Sequence, residues 1–278
     1  MTPAALLLPL ALLAQQRSQA ETMRALVERG SDSALVATVN RSPVAAREAM
    51  QALLDRTARP GEGDLALAGA NRLAGAMAIA LGDSFPLRQV MRYAAWTPAE
   101  RGAKVAIDSI RFAGNAALGR DGFETALRAW RESARRAEAL GDTAGMAAAL
   151  GNIGAGFYAE GMLDSAASHF TRAAGLARQV HDGRTELNAQ GGLANVLRDR
   201  GAYREARERY ERTLALRERI GDVRGIAADR NNMGLMAAEL GDEAAARAAF
   251  EEALAVSRRH ALREPMAASL TNLAWLAS

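Results

Sequence analysis

Few side chains in this sequence could break or make bonds. Three histidines occur, His169, His181 and His260, and there is no cysteine. Lack of cysteine excludes disulfides, thiolate metal sites and a cysteine nucleophile within the chain. The histidines fall at scattered points of a repeating frame, too far apart for one metal site. No catalytic residue, metal ligand or cofactor site is therefore expected. Gly151-Asn152-Ile153-Gly154-Ala155-Gly156 has the glycine density of a phosphate loop. Such a loop follows a strand and carries a lysine, and neither is present here. These glycines read instead as points of close helix packing. What remains is amide and guanidinium chemistry. Asn152, Asn232 and Asn272 share one column of the frame, Asn115, Asn195 and Asn231 lie at neighbouring positions, and Arg111 and Arg198 stand nearby. These groups hydrogen-bond and pair with carboxylates.

The elements that must position them come from the frame. Gly161, Gly201 and Gly241 are forty residues apart, and blocks beginning at Gly141, His181, Gly221 and Ala261 align without a gap. The second column reads Asp142, Asp182, Asp222, Leu262, and the fourteenth Gly154, Ala194, Gly234, Ala274. A fixed period of this length predicts a stacked array in which each repeat touches its neighbours. Strand signals are nearly absent. From Pro98 onward the pattern predicts helix pairs, with at least eight helices between Pro98 and Ser278. Left-handed glycines at 161, 201 and 241 end the first helix of a pair, and Gly141 and Gly221 end the second. His181 replaces glycine in that column, a residue type tolerated there. The aspartates that follow cap the next helix. Thr97, Pro98 and Glu100 form a capping box. Before it, Arg59–Asp64 separates a helix near 44–57 from one near 65–81.

Composition narrows the partners. Of the 278 residues, 49% are apolar but only 5% aromatic, so the packing must rest on alanine and leucine. The net charge is +3, and Lys104 is the only lysine. Both signs interleave along the helices, as in Arg204-Glu205-Ala206-Arg207-Glu208-Arg209, which reads as a solvated face and not as a nucleic-acid stripe.

Residues 1–20 differ from the rest. Ala4–Ala14 is an apolar run too short to span a bilayer, and Ser18-Gln19-Ala20 offers small residues for cleavage after Ala20. This pattern resembles a secretory signal peptide. It places the protein in the periplasm or outside the cell. The alternative is an apolar N-terminal helix on a cytoplasmic protein. No other segment reads as long and apolar enough to cross a membrane.

The helix pairs resemble the tetratricopeptide repeat in a forty-residue form. One pair reads Ile153, Gly154, Phe157, Gly161, Leu163, Ala166, Phe170, Ala173. The next reads Leu193, Ala194, Leu197, Gly201, Tyr203, Ala206, Tyr210, Leu214, and a third Met233, Gly234, Ala237, Gly241, Ala246, Phe250, Ala253. An earlier copy shows Gly114, Phe123, Ala126, Trp130 and Ser133. The small residues let paired helices approach, and Trp130, Phe170, Tyr210 and Phe250 fill the space toward the next pair. The resemblance implies an all-α, right-handed superhelix that binds a protein or peptide in a concave groove. There the asparagines at 115, 152, 195, 231, 232 and 272, with Arg111 and Arg198, would contact the ligand. Segments 113–122, 141–145 and 214–219 also resemble the N-terminal repeats of bacterial proteins that end in a caspase-like CHAT peptidase domain. Without cysteine, none of that family's chemistry transfers.

The expected organisation is a signal peptide over 1–20, a helical lead-in over 21–97 and a repeat array over 98–278. The expected function is a non-catalytic protein- or peptide-binding scaffold. The alternative is the regulatory segment of a split or truncated CHAT-type peptidase. A cytoplasmic peptide-sensing regulator fits less well, because no helix-turn-helix pattern precedes the repeats. Residues 265–278 read as a first helix without its partner. Leu270, Leu273 and Trp275 on it predict a face for self-association or for another chain.

Overall fold

The structure, a computed structural model, describes residues 21–277. The segment read as an export signal lies outside the described residues. Those residues form helices and no strand. A helix over 21–29 (α1) is followed by α2 (Asp32–Arg41), α3 (Pro43–Arg56), α4 (Gly63–Leu81) and α5 (Phe85–Ala95). Then come α6 (Pro98–Arg120), α7 (Phe123–Ala139), α8 (Thr143–Ala159), α9 (Leu163–Gln179) and α10 (Gly183–Asp199). The remainder are α11 (Tyr203–Arg219), α12 (Val223–Glu239), α13 (Glu243–Arg259) and α14 (Arg263–Leu276). Nine helices thus follow Thr97, and each of α7 to α13 has 17 residues.

Local chemistry sets that regularity. After α8, Gly161 takes φ 72°, and Met162 N–H donates to the Phe157 carbonyl at 2.9 Å while Gly161 N–H donates to Tyr158 at 3.0 Å. Gly201 and Gly241 adopt φ 77° and 78°. His181 takes the same left-handed conformation at φ 56°. Ala261 also does so, at φ 55°, although its side chain gives no local reason for it. Asp142, Asp182 and Asp222 each accept a hydrogen bond from the backbone three residues on, capping α8, α10 and α12. Asp242 caps α13 in the same way. The capping box forms: Glu100 N–H donates to Thr97 Oγ1, and Thr97 N–H donates to Glu100 Oε2 at 2.7 Å.

The chain divides into two compact units. One is Trp96–Arg217; the other joins the described residues up to Ala95 with those from Glu218 onward. In the first unit, Trp130 and Phe170 of the second helices each pack between two glycines. A Cβ at Gly114 would lie 2.6 Å from Trp130 Nε1, and one at Gly156 would lie 2.7 Å from Trp130 Cζ3. Phe170 is held likewise by Gly154 and Gly192. Glycines 154 and 156 therefore serve helix packing, as their sequence context implied. Ala126, Ala166 and Ala206 are fully buried at the helix crossings.

In the other unit, Arg72 on α4 closes the end of α1. It donates to the carbonyls of Leu26, Val27 and Gly30 and pairs with Asp32 at 2.8 Å. Helix α4 corrects one expectation. Its 19 residues and mean hydropathy of 1.2 meet the length and composition of a membrane span. One face of the helix is buried in the bundle, with Ala66, Ala70, Leu73, Ala74 and Met77 inside, while Leu65 and Ile79 are exposed. The lead-in also touches a distant part of the chain. Arg47 Nη2 donates to the Ile220 carbonyl at 2.8 Å and pairs with Asp83 at 3.4 Å. A Cβ at Gly221 would meet Leu81 at 2.8 Å. On α14, Leu270 is 44% and Trp275 58% exposed, while Leu273 is half-buried.

Candidate functional site

Helices α6, α8 and α10 are the first helices of successive pairs, and they carry five of the eight expected contact residues. Asn115 stands on α6, where its Oδ1 accepts from Trp130 Nε1 at 2.8 Å and from Asn152 Nδ2 at 2.7 Å. The indole nitrogen can only donate. Trp130 therefore fixes which end of the Asn115 amide faces it. Asn152 then spends its Nδ2 on the same oxygen. The pair is left with Asn115 Nδ2 as a free donor end and Asn152 Oδ1 as a free acceptor end.

Asn195 on α10 repeats the first half of this arrangement, accepting from the Tyr210 hydroxyl. The logic is visible down the columns. Fifteen residues before each second-helix aromatic stands Asn115 for Trp130 and Asn195 for Tyr210, but Ala155 for Phe170 and Leu235 for Phe250. An asparagine appears only where the ring carries a polar hydrogen. This correspondence was open to sequence reading and was missed. Trp130→Phe should remove the donor that orients Asn115 and cost about 1 kcal/mol, the usual net worth of a hydrogen bond. Urea denaturation of Trp130→Phe, Asn115→Ala and the double variant checks this. Additive effects would show that the two side chains are not coupled.

Arg198 is buried on α10. Its Nη2 donates to the Tyr158 hydroxyl on α8 and its Nε to Asp199 Oδ1, both at 2.8 Å. Burial disfavours its charge, but Asp199 and the Tyr158 and Tyr210 hydroxyls outweigh that and raise its pKa above the ordinary arginine value. Tyr158, absent from the sequence-based set, thus ties α8 to α10 as Asn115 and Asn152 tie α6 to α8. Arg198 is largely spent on these bonds.

Arg111 differs. Its Cζ lies 4.3 Å above the Phe112 ring, and its Nη2 is 3.4 Å from Asp108 Oδ1. The buried Nε has no hydrogen-bond partner. Phe112 is 49% exposed beside it. Beneath this pair, Lys104 Nζ sits 2.8 Å from Asp108 Oδ1 and 2.9 Å from Asp142 Oδ2, all three buried. Burial alone would lower the Lys104 pKa, yet the two carboxylates raise it above its ordinary value.

The remaining three residues lie in the other unit. Asn272 Nδ2 on α14 donates to Asn231 Oδ1 on α12 at 3.0 Å, again joining consecutive first helices. Asn232 is half-buried next to Asn231. That unit also holds a cavity of 790 Å³ between α1, α3 and α4, lined by Arg24, Val27, Leu53 and Gly69 among others. Nothing in the sequence had pointed to it.

The histidines take unrelated places. His169 Nδ1 is 2.8 Å from the Ser165 carbonyl, its ring near Phe157. His260 ends α13, where burial and Arg259 push its pKa down. Among the described residues, no three His, Asp or Glu side chains are grouped to hold a metal ion.

No curated protein matches the sequence. Among solved structures, the chain is similar to a Rap protein complexed with Competence and Sporulation Factor, with 15% identity, 96% of this chain and 71% of that chain covered, and a TM-score of 0.57. It is also similar to a signal-transduction ATPase with a tetratricopeptide repeat sensor from Pyrococcus horikoshii, with 13% identity, 96% and 48% covered, and a TM-score of 0.48. Residues 185–259 match the tetratricopeptide repeat family. The chain is thus an all-α protein of the solenoid kind, carrying tetratricopeptide repeats over that segment.

Proposed function

We propose that this chain is a non-catalytic scaffold that binds a protein or peptide segment along α6, α8 and α10. One observation carries the reading: the Asn115–Asn152 pair is oriented from below and presents one free donor and one free acceptor. A peptide unit offers the complementary carbonyl and N–H, so such a pair suits main-chain recognition of an extended segment. Arg111 adds a cation beside it, and Phe112 an apolar surface. The Rap protein of similar fold was crystallised with a bound factor, which supports a binding role for this architecture. The interleaved charge does not favour nucleic acid. The likeness to CHAT-type proteins brings no reaction with it, since the chain has no cysteine.

The test uses residues 21–278 as bait in the host's own extract, beside an Asn115→Ala/Asn152→Ala variant of verified fold. Losing two hydrogen bonds of about 1 kcal/mol each should weaken retention roughly thirtyfold. Equal retention of the same proteins by both baits would overturn the reading.

Export is the second part of the proposal. Residues 1–20 act as a signal, cleaved after Ala20, so the mature chain begins at Glu21. Mass spectrometry of the protein from its host should find that terminus. A cytosolic protein retaining Met1 would refute export and leave the binding reading intact.

A further inference from the structure

Lysine occurs once among the 35 basic residues of this chain, and that one lysine is buried between two carboxylates. A neutral preference for arginine runs through the rest of the sequence, so this position has a reason to differ. The reason is space. An ammonium is a compact point charge, whereas a guanidinium is a planar fork. At Gly145 an added Cβ would already lie 3.3 Å from Lys104 Nζ and would collide with Asp142 Oδ2. A compact cation fits between Asp108 and Asp142, and the glycine at 145 keeps that space open.

The same oxygen serves two cations unequally. Asp108 Oδ1 is 2.8 Å from Lys104 Nζ and 3.4 Å from Arg111 Nη2. All three residues are on α6, Lys104 four residues before Asp108 and Arg111 three after, so each reaches Asp108 from one side of a helical face. Lys104 takes the oxygen at full hydrogen-bond distance, and Arg111 is kept at the limit. Arg111 also leaves its Nε unpartnered, while the Phe112 ring covers one face of the guanidinium. A desolvated arginine beside an unclaimed carboxylate would normally close on it as a two-bond ion pair.

We propose that Lys104 is a positioning residue: by claiming Asp108, it keeps the Arg111 guanidinium available for an anionic group of the bound partner. The use made of Arg111 rests on the binding role proposed above, but the competition for Asp108 is a property of the free chain. Without Lys104, Asp108 would turn to Arg111 and neutralise it.

The experiment is therefore done without a partner. In ¹⁵N-arginine-labelled protein, NMR reads rotation about the Arg111 Cζ–Nε bond, with Arg111→Lys assigning the signal. In Lys104→Met, rotation should slow by about threefold or more as Asp108 forms paired bonds to Arg111. Lys104→Met/Asp108→Asn should restore the wild-type rate. Asp108→Asn alone should leave it unchanged, because Arg111 hardly uses that carboxylate while Lys104 is present. A folded Lys104→Met with an unchanged rate overturns the proposal. So does faster rotation in Asp108→Asn, which decides the matter even if Lys104→Met does not fold. Loss of retention in the bait experiment would bear on the binding role only.

Discussion

Gly192→Ala is expected to destabilise the protein by about 2 kcal/mol, although alanine is the better helix former. Inside a helix the exchange ordinarily gains about 1 kcal/mol. Here an added Cβ would lie 2.6 Å from Phe170 Cε1 and Cε2. The ring is also close to the backbone of Gly154, where an added Cβ would lie 2.8 Å from Cδ1, so room for it to shift is restricted. Overpacking of this kind costs up to about 3 kcal/mol, and it outweighs the propensity gain. Gly175→Ala is the internal control. Gly175 lies within α9, and a Cβ there would meet nothing within 4 Å, so only the propensity term should remain, a gain of about 1 kcal/mol. Urea denaturation of both variants gives opposite signs if the packing is as described. Phe170→Leu should relieve Gly192→Ala in the double variant.

Lys104→Met should cost more, about 3–5 kcal/mol, because it breaks a buried ion cluster by removing one partner. Asp142 makes this severe: it caps α8 through Oδ1 and pairs with Lys104 through Oδ2, so it cannot move away. The pH dependence carries a definite sign. The folded Lys104 pKa is raised, so the stabilisation is fully present below the unfolded lysine value, near 10.4, and is lost as pH rises through the folded value. The stability difference between wild type and Lys104→Met should thus hold from neutral pH to about pH 10 and shrink above it. Denaturation at neutral and strongly alkaline pH measures this. A difference that grows with alkalinity would contradict the cluster.

What was legible in the sequence repeats and is local. The turns at Gly161, Gly201 and Gly241, the aspartate caps and the glycine–aromatic packing recur in phase, so each copy supports the others. His181 could be read because its column carries Gly141 and Gly221 and histidine tolerates a left-handed backbone. Ala261 could not, since alanine has no preference for a left-handed backbone, and there the frame overrides the residue. Asn115, Asn152, Asn195 and Arg198 were found as polar residues on first helices. The fifteen-residue spacing of Asn115 to Trp130 and of Asn195 to Tyr210 was legible but missed, whereas the Tyr158–Arg198 bond required the pairing between helices. The Lys104 cluster occurs once: the next repeat has Ala144 and Ala148 in its columns, so periodicity was silent. The apolarity of α4 was missed because it is spread over a helix rich in alanine.

The contact of Arg47 with the Ile220 carbonyl joins groups 173 residues apart, and it sets an order of events during synthesis. The Trp96–Arg217 unit is continuous in the chain and can complete its packing as it emerges. The lead-in cannot form this contact until Ile220 has been made. At about 5–20 residues per second, the roughly 125 residues from the end of the lead-in at Ala95 to Ile220 take about 6–25 seconds. For that interval Leu81 and Arg47 lack their later neighbours, and the lead-in is finished after the unit that follows it in the chain.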